Sequence, residues 1–220
     1  VNAAFDATLT PNQRHLAHRL ESFGDVVFGF TISQLALQFA LPKVPPDLLA
    51  HSYTYVIYAI TFAAIALLWL SYHQMLSSTY APRPFDIAVT FTFLAFTGLV
   101  PYAMYAYLHF ITSPEGVRYG LGAYLVCALG TTTTSTLLRM RNYQRGATYL
   151  EAEERFRTYR RLVITSTLIP IFVIDLAIDV TGHPFSAGLF FLIIPAVSVI
   201  GRRVIRTAPL PKTRGTHPAD

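Results

Sequence analysis

The chain has 220 residues, of which 53% are hydrophobic and only 13% are Asp, Glu, Lys or Arg, about half the charge of an ordinary soluble domain. With a mean hydropathy of +0.42, this excludes both a water-soluble globule and a disordered chain. The formal charge of +5, from 17 Lys and Arg against 12 Asp and Glu, suggests nucleic acid in a soluble protein but in a membrane protein is first a topology signal.

A bilayer core of roughly 30 Å takes about 20 apolar residues per helix. Six stretches approach that length: residues 20–41, 53–76, 85–107, 119–138, 162–180 and 185–201, the last short and interrupted by Pro195. The expected fold is all-α, an integral membrane six-transmembrane-helix bundle. One unit is expected over residues 1–206, and residues 207–220, with three prolines, are expected to be a disordered tail. A polar segment precedes the first span and shows no small-residue cleavage site, so no signal peptide is expected. The single cysteine, Cys127, leaves no internal disulfide to form.

With six spans, the N-terminus, loops 2–3 and 4–5 and the C-terminus share one side. They hold 15 of the Lys and Arg residues, against Lys43 and Arg118 on the other side. Both termini are therefore expected to be cytoplasmic. The same count accounts for the basic surplus without nucleic acid, and the seven arginines of Arg139–Arg161 are placed to meet anionic lipid. Within that connection Glu151/Arg155, Glu153/Arg157 and Glu154/Arg157 stand at helical pair spacing. They predict a helical extension running into the fifth span, either a solvated face or a subunit or lipid contact.

The first span carries most of the polar chemistry. Asp25 lies a turn or more inside it, where a carboxylate is costly unless paired or hydrated. At 100° per residue, Ser22, Asp25, Gly29 and Ser33 fall within about 80° of one another. Beside them run Val26, Phe30, Gln34, Leu37 and Leu41. The pattern allows a helix that packs through its small face and presents the other to a narrow pathway. It equally allows Ser33, Gln34 and Gln38 simply to hydrogen-bond to neighbouring helices. Late in the second span Trp69 and Tyr72 occupy an interfacial belt, with His73 one turn after Trp69. An Arg19–Asp25–His73 network is geometrically allowed, and so is an interfacial His73 touching headgroups and water.

Arg19-x-x-x-Phe23-Gly24-Asp25 resembles the Arg-x-x-x-Phe-Ser-Asp signature of the transmembrane protein 175 family, the endolysosomal potassium channel and its bacterial and archaeal relatives. Trp69-x-x-x-His73 is similar to the family's second motif, and Leu41-Pro42 and Pro101 fit as well. The resemblance implies a potassium-permeable cation channel in a prokaryotic cell membrane, a homotetramer with the first helix lining the pore, and K+ as permeant ion with no cofactor. It implies that Phe30 and Leu37 form apolar rings with Ser33 as a hydroxyl layer between them. It further implies that Arg19, Phe23, Asp25 and His73 hold the pore helix as a structural network, with Gly24 and Trp69 in the same motifs. Three departures are visible. Gly24 replaces the signature Ser, removing a hydroxyl and loosening the helix by up to about 1 kcal/mol. Phe30 replaces an aliphatic ring former, and Gln34 an apolar residue.

Elsewhere, Asp175 and Asp179 stand one turn apart on the fifth span after Pro170. They suit a cation or proton site, or a hydrated vestibule, or an acceptor for a hydroxyl or Lys43. The run Thr131–Thr136 is expected to bond back to its own helix. No zinc spacing, phosphate loop or nucleophile motif occurs, so no metal site and no enzyme is expected. The alternatives to a channel are an ion-coupled transporter using Asp175 and Asp179, or a non-conducting scaffold.

Overall fold

The computed structural model describes residues 3–37, 52–77, 79–110, 113–146 and 148–182. A helical turn, Ala3–Asp6, precedes five long helices among the described residues. They are α1 Pro11–Leu37, α2 Ser52–Leu76, α3 Pro84–His109, α4 Pro114–Gly146 and α5 Ala152–Val180.

The helix ends follow from local chemistry. Thr10 and Gln13 form a reciprocal capping box ahead of α1: Thr10 N–H donates to Gln13 Oε1 at 3.0 Å, and Gln13 N–H to Thr10 Oγ1 at 3.3 Å. Pro11, Pro84 and Pro114 occupy the first helical position of α1, α3 and α4, where the missing N–H costs nothing. Ser113 caps α4 by accepting from Gly116 N–H at 3.1 Å. Past the end of α5, Gly182 takes φ +90°, and its N–H returns to the Asp179 carbonyl at 3.0 Å.

In chain order α3 packs on α4, and α4 on α5; α1 lies against α2 and α3. Lipid tails are as apolar as side chains, so these contacts hold by close packing and internal hydrogen bonds rather than by expelling water. Leu20, Gly24, Phe28, Thr31 and Leu35 form the buried stripe of α1. Phe28 meets Tyr72 and Phe93, whose rings stack at 5.9 Å. Leu121 and Leu125 of α4 and Phe172 of α5 make a second core. Three of the α4 hydroxyls bond back to their own helix as expected, Thr131 to the Cys127 carbonyl at 3.0 Å, Thr134 to Gly130 at 2.7 Å and Ser135 to Thr132 at 3.0 Å, whereas the buried Thr136 hydroxyl has no partner among the described residues.

One end of the bundle is locked by polar groups. Asp86, in the first turn of α3, is completely buried and accepts from Arg141 Nε at 2.6 Å and Arg145 Nη2 at 2.5 Å. Thr79 Oγ1 donates to the Asn142 carbonyl at 2.7 Å, and Asn142 Nδ2 to Met75 O at 2.8 Å. Two of the arginines counted for topology are thus structural counter-ions.

Among the described residues four helices, α2 to α5, are long and apolar enough to cross a membrane. Glu21, Asp25 and Gln34 dilute the apolar part of α1, which does not reach that composition. Hydropathy located the apolar portions but understated the helices. α4 continues past Leu138 to Gly146, and α5 begins at Ala152 rather than near Leu162. The charged ends stay helical through pairs such as Arg157 to Glu153 at 2.5 Å. Glu151 instead stands at the N-cap position of α5 without a side-chain cap hydrogen bond, and Arg155 lies over the Tyr143 ring at 5.6 Å. The sixth span, Pro195, Pro42, Lys43 and the tail lie outside the described residues.

Candidate functional site

The α1 helix turns two faces in opposite directions. Its buried stripe serves the protomer core. Val26, Phe30, Ser33 and Leu37 point away, Phe30 being 64% and Leu37 84% exposed on the single chain. Asp25, Gly29 and Ser22 are exposed as well. The small stripe therefore does not pack within the protomer. Gly24, Phe28 and Thr31 fill that role, because α2 and α3 approach from their side. Gly29 has open space at its Cβ position. The Ser33 hydroxyl donates to the Gly29 carbonyl at 2.9 Å, which leaves its oxygen lone pairs free to accept. An open groove of about 550 Å³ runs beside this face, lined by Val26, Phe30 and Gln34 of α1 and Leu99 and Tyr102 of α3.

The opposite side of the motif anchors α1 to α2. His73 reaches two α1 carboxylates, Nε2 to Asp25 Oδ1 at 2.9 Å and Nδ1 to Glu21 Oε1 at 3.0 Å. Both contacts are satisfied together when the ring carries both protons. Trp69 Nε1–H donates to the same Asp25 oxygen at 2.9 Å, and its ring meets His73 edge-on at 4.7 Å. Asp25 is thus paired, as its depth requires, yet its side chain remains 48% exposed on the single chain. Arg19 departs from the expected network: it is exposed and forms no ion pair among the described residues, and Glu21, one turn before Asp25, stands in its place. Phe23 packs edge-on against Phe91 of α3 at 5.5 Å.

Gly24 also differs from the sequence expectation. A Cβ there would lie 2.1 Å from Cε1 of Tyr72 and 2.7 Å from its hydroxyl. The Tyr72 hydroxyl donates to the Leu20 carbonyl at 2.5 Å. The hydroxyl absent from α1 is therefore supplied from α2, and glycine is required for close approach. Glu21 was not predicted from the sequence, although its place one turn before Asp25 on the same helix face was a signal for it. The role of Tyr72 was not legible, since only packing brings it to Gly24.

Asp175 and Asp179 are buried on the α4 side of α5, away from the outward face of α1. Both oxygens of Asp175 and one of Asp179 lack a hydrogen bond, and Gly122 leaves room for the other, 2.9 Å from its Cβ position. Arg118 donates to the Val180 carbonyl at 2.8 Å. Among the described residues no hydroxyl bonds to the buried oxygens of these carboxylates.

Residues 19–101 match the family model described as the endosomal/lysosomal potassium channel TMEM175. No curated protein matches the chain significantly. Among solved structures, the chain is similar to a point variant of the potassium channel MtTMEM175, crystallised in complex with a nanobody–MBP fusion protein. The TM-score is 0.67 at 17% identity, over 86% of this chain and 94% of that one. At that identity the likeness shows a shared fold. Four membrane-length helices on this fold make the chain an integral, multi-pass membrane protein. The motif around Asp25 lies inside the matched segment, so that residues 19–101 are similar to the TMEM175 family.

Proposed function

We propose that this protein is a potassium-permeable cation channel, a homotetramer in which four copies of α1 surround the pathway. The observation that carries this reading is the outward face of α1. Phe30, Ser33 and Leu37 lie on one side of a helix whose other side is already spent in the core. A face that mixes Ser33, Gln34 and Asp25 with aromatic residues suits lipid poorly. It suits a symmetry axis, where bulky rings dewet a narrow path and small helix shifts wet it. The Ser33 oxygens, turned outward, replace part of the hydration shell of a passing cation. Such a hydroxyl layer discriminates less strongly among monovalent cations than a full carbonyl cage.

The network of Asp25, His73, Trp69 and Glu21 then sets the tilt of α1 rather than touching the ion. Both termini are placed in the cytoplasm by the 15-to-2 division of Lys and Arg. Anionic lipid of that leaflet meets the basic ends of α4 and α5. A transporter built on Asp175 and Asp179 is less well supported, since α4 buries both away from α1.

The test is flux of K+ into proteoliposomes. Phe30→Ala should raise it by removing the bulkiest ring. Unchanged flux in Phe30→Ala and Leu37→Ala, with the tetramer intact, would remove α1 from the pathway.

A further inference from the structure

The structure divides the seven arginines of Arg139–Arg161 into those with a counter-charge or aromatic partner and those without. Arg141 and Arg145 are neutralised by Asp86, Arg157 pairs with Glu153, and Arg155 rests on Tyr143. Arg139, Arg160 and Arg161 have no carboxylate among the described residues. Arg139 is only 7% exposed, and its one hydrogen bond runs from Nη2 to Ser71 Oγ at 2.7 Å. Its Nε has no acceptor, and neither does the buried Nε of Arg160. Arg139 feels the charge of Arg161 across the α4–α5 contact, and Arg161 feels those of Arg160 and Arg157. A buried guanidinium left without an anion, next to two more, is a costly arrangement for a folded protein to keep.

Their depth tells what meets them. Arg139 lies seven residues before the end of α4, and Arg161 nine after the start of α5. At 1.5 Å per residue these are about 10 and 14 Å from the same end of the bundle, so the antiparallel helices bring them level. The stretch of α5 without charged residues begins at Leu162, the residue after Arg161, and runs to Ile174. The cluster therefore sits where charged side chain gives way to hydrocarbon-facing side chain, the level of headgroup phosphates.

We propose that Arg139, Arg160 and Arg161, with Ser71, form a binding site for a phosphate group, supplied by an anionic phospholipid at the α4–α5 groove. The phosphate oxygens accept from the exposed Arg161 guanidinium and from the half-buried Arg160, and their charge offsets the buried Arg139 behind them. The site rests on the membrane placement proposed above, and not on conduction.

The test uses the full chain in detergent, with melting temperature followed during titration with phosphatidylglycerol, phosphatidylcholine or inorganic phosphate. Phosphatidylglycerol should raise the melting temperature where phosphatidylcholine does not. In the Arg160→Gln/Arg161→Gln variant the half-saturating phosphatidylglycerol concentration should rise about tenfold or more. The equally charged control Arg14→Gln/Arg83→Gln, at two exposed positions outside the α4–α5 ends, should stay within about twofold of the native chain. If the double variant does not fold in phosphatidylcholine, Arg161→Gln alone, at an exposed position, carries the same comparison. An equal shift with inorganic phosphate upholds the site and makes free phosphate the ligand. Equal loss in the control, or a shift that survives Arg160→Gln/Arg161→Gln, overturns the proposal, as does no shift with either phosphate source. A chain that shows the lipid shift but no K+ flux keeps this site and loses the channel reading.

Discussion

The Tyr72 ring occupies the space in which a side chain at residue 24 would stand, with Cε1 2.1 Å from the Cβ position of Gly24. Its hydroxyl, donated to the Leu20 carbonyl, fastens α2 to α1 one turn before Asp25. The two residues act as one device: glycine admits the ring, and the ring bonds the backbone that glycine leaves accessible.

Gly24→Ser, which restores the family's signature residue, should therefore destabilise this protein. Overpacking of this kind costs about 1–3 kcal/mol, read as a lower melting temperature in detergent. Gly24→Ser combined with Tyr72→Leu should recover much of the loss, giving a strongly non-additive cycle. A stable Gly24→Ser chain would show that Tyr72 swings away freely.

Asp25→Asn weakens the acceptor shared by Trp69 and His73. We expect loss of tetramer or thermal stability, with ion preference unchanged in the fraction that remains assembled. Size-exclusion profiles and bi-ionic flux measure the two separately. Altered ion preference in a normally stable tetramer would put Asp25 on the ion path instead.

Asp86→Asn leaves Arg141 and Arg145 facing a neutral amide in a buried site. Removing one partner of such a pair costs about 3–5 kcal/mol, so this variant should be among the least stable single substitutions in the chain. Glu153→Gln, which breaks an exposed i,i+4 pair, should change stability by no more than about 0.5 kcal/mol. Comparison of the two melting temperatures checks the difference.

Tyr80, in the connection between α2 and α3, is buried with its hydroxyl 3.0 Å from Thr90 Oγ1. Burial pushes it up from 10.0 to about 12. The folded chain then holds this proton at pH values where the unfolded chain has released it, so the contribution is full below pH 10 and is lost as pH rises through about 12. Tyr80→Phe should flatten that part of the alkaline stability profile. An unchanged profile would mean that other groups govern it.

Phe30→Ala tests the pathway and Tyr72→Phe its support. The latter removes one hydrogen bond, about 1 kcal/mol, while keeping the ring that fills the Gly24 space. Flux should rise in the first and stay near native in the second. The reverse order would place the constriction away from Phe30.

Length, composition and hydropathy alone determined the membrane class, the all-α architecture and the approximate position of each described span, because apolar content sums over local residues. The spacing of Arg19, Phe23, Asp25, Trp69 and His73 was equally local and pointed to the family. Which residues meet was decided only by the tertiary structure. His73 takes Glu21, 52 residues away, besides Asp25, while Arg19 forms no ion pair among the described residues, and Asp86 takes Arg141 across 55 residues. The low charge that marks this chain is also the reason those choices matter. In a bundle without water an unpaired charge is costly, and helix packing, which no single segment encodes, decides which charges are paired.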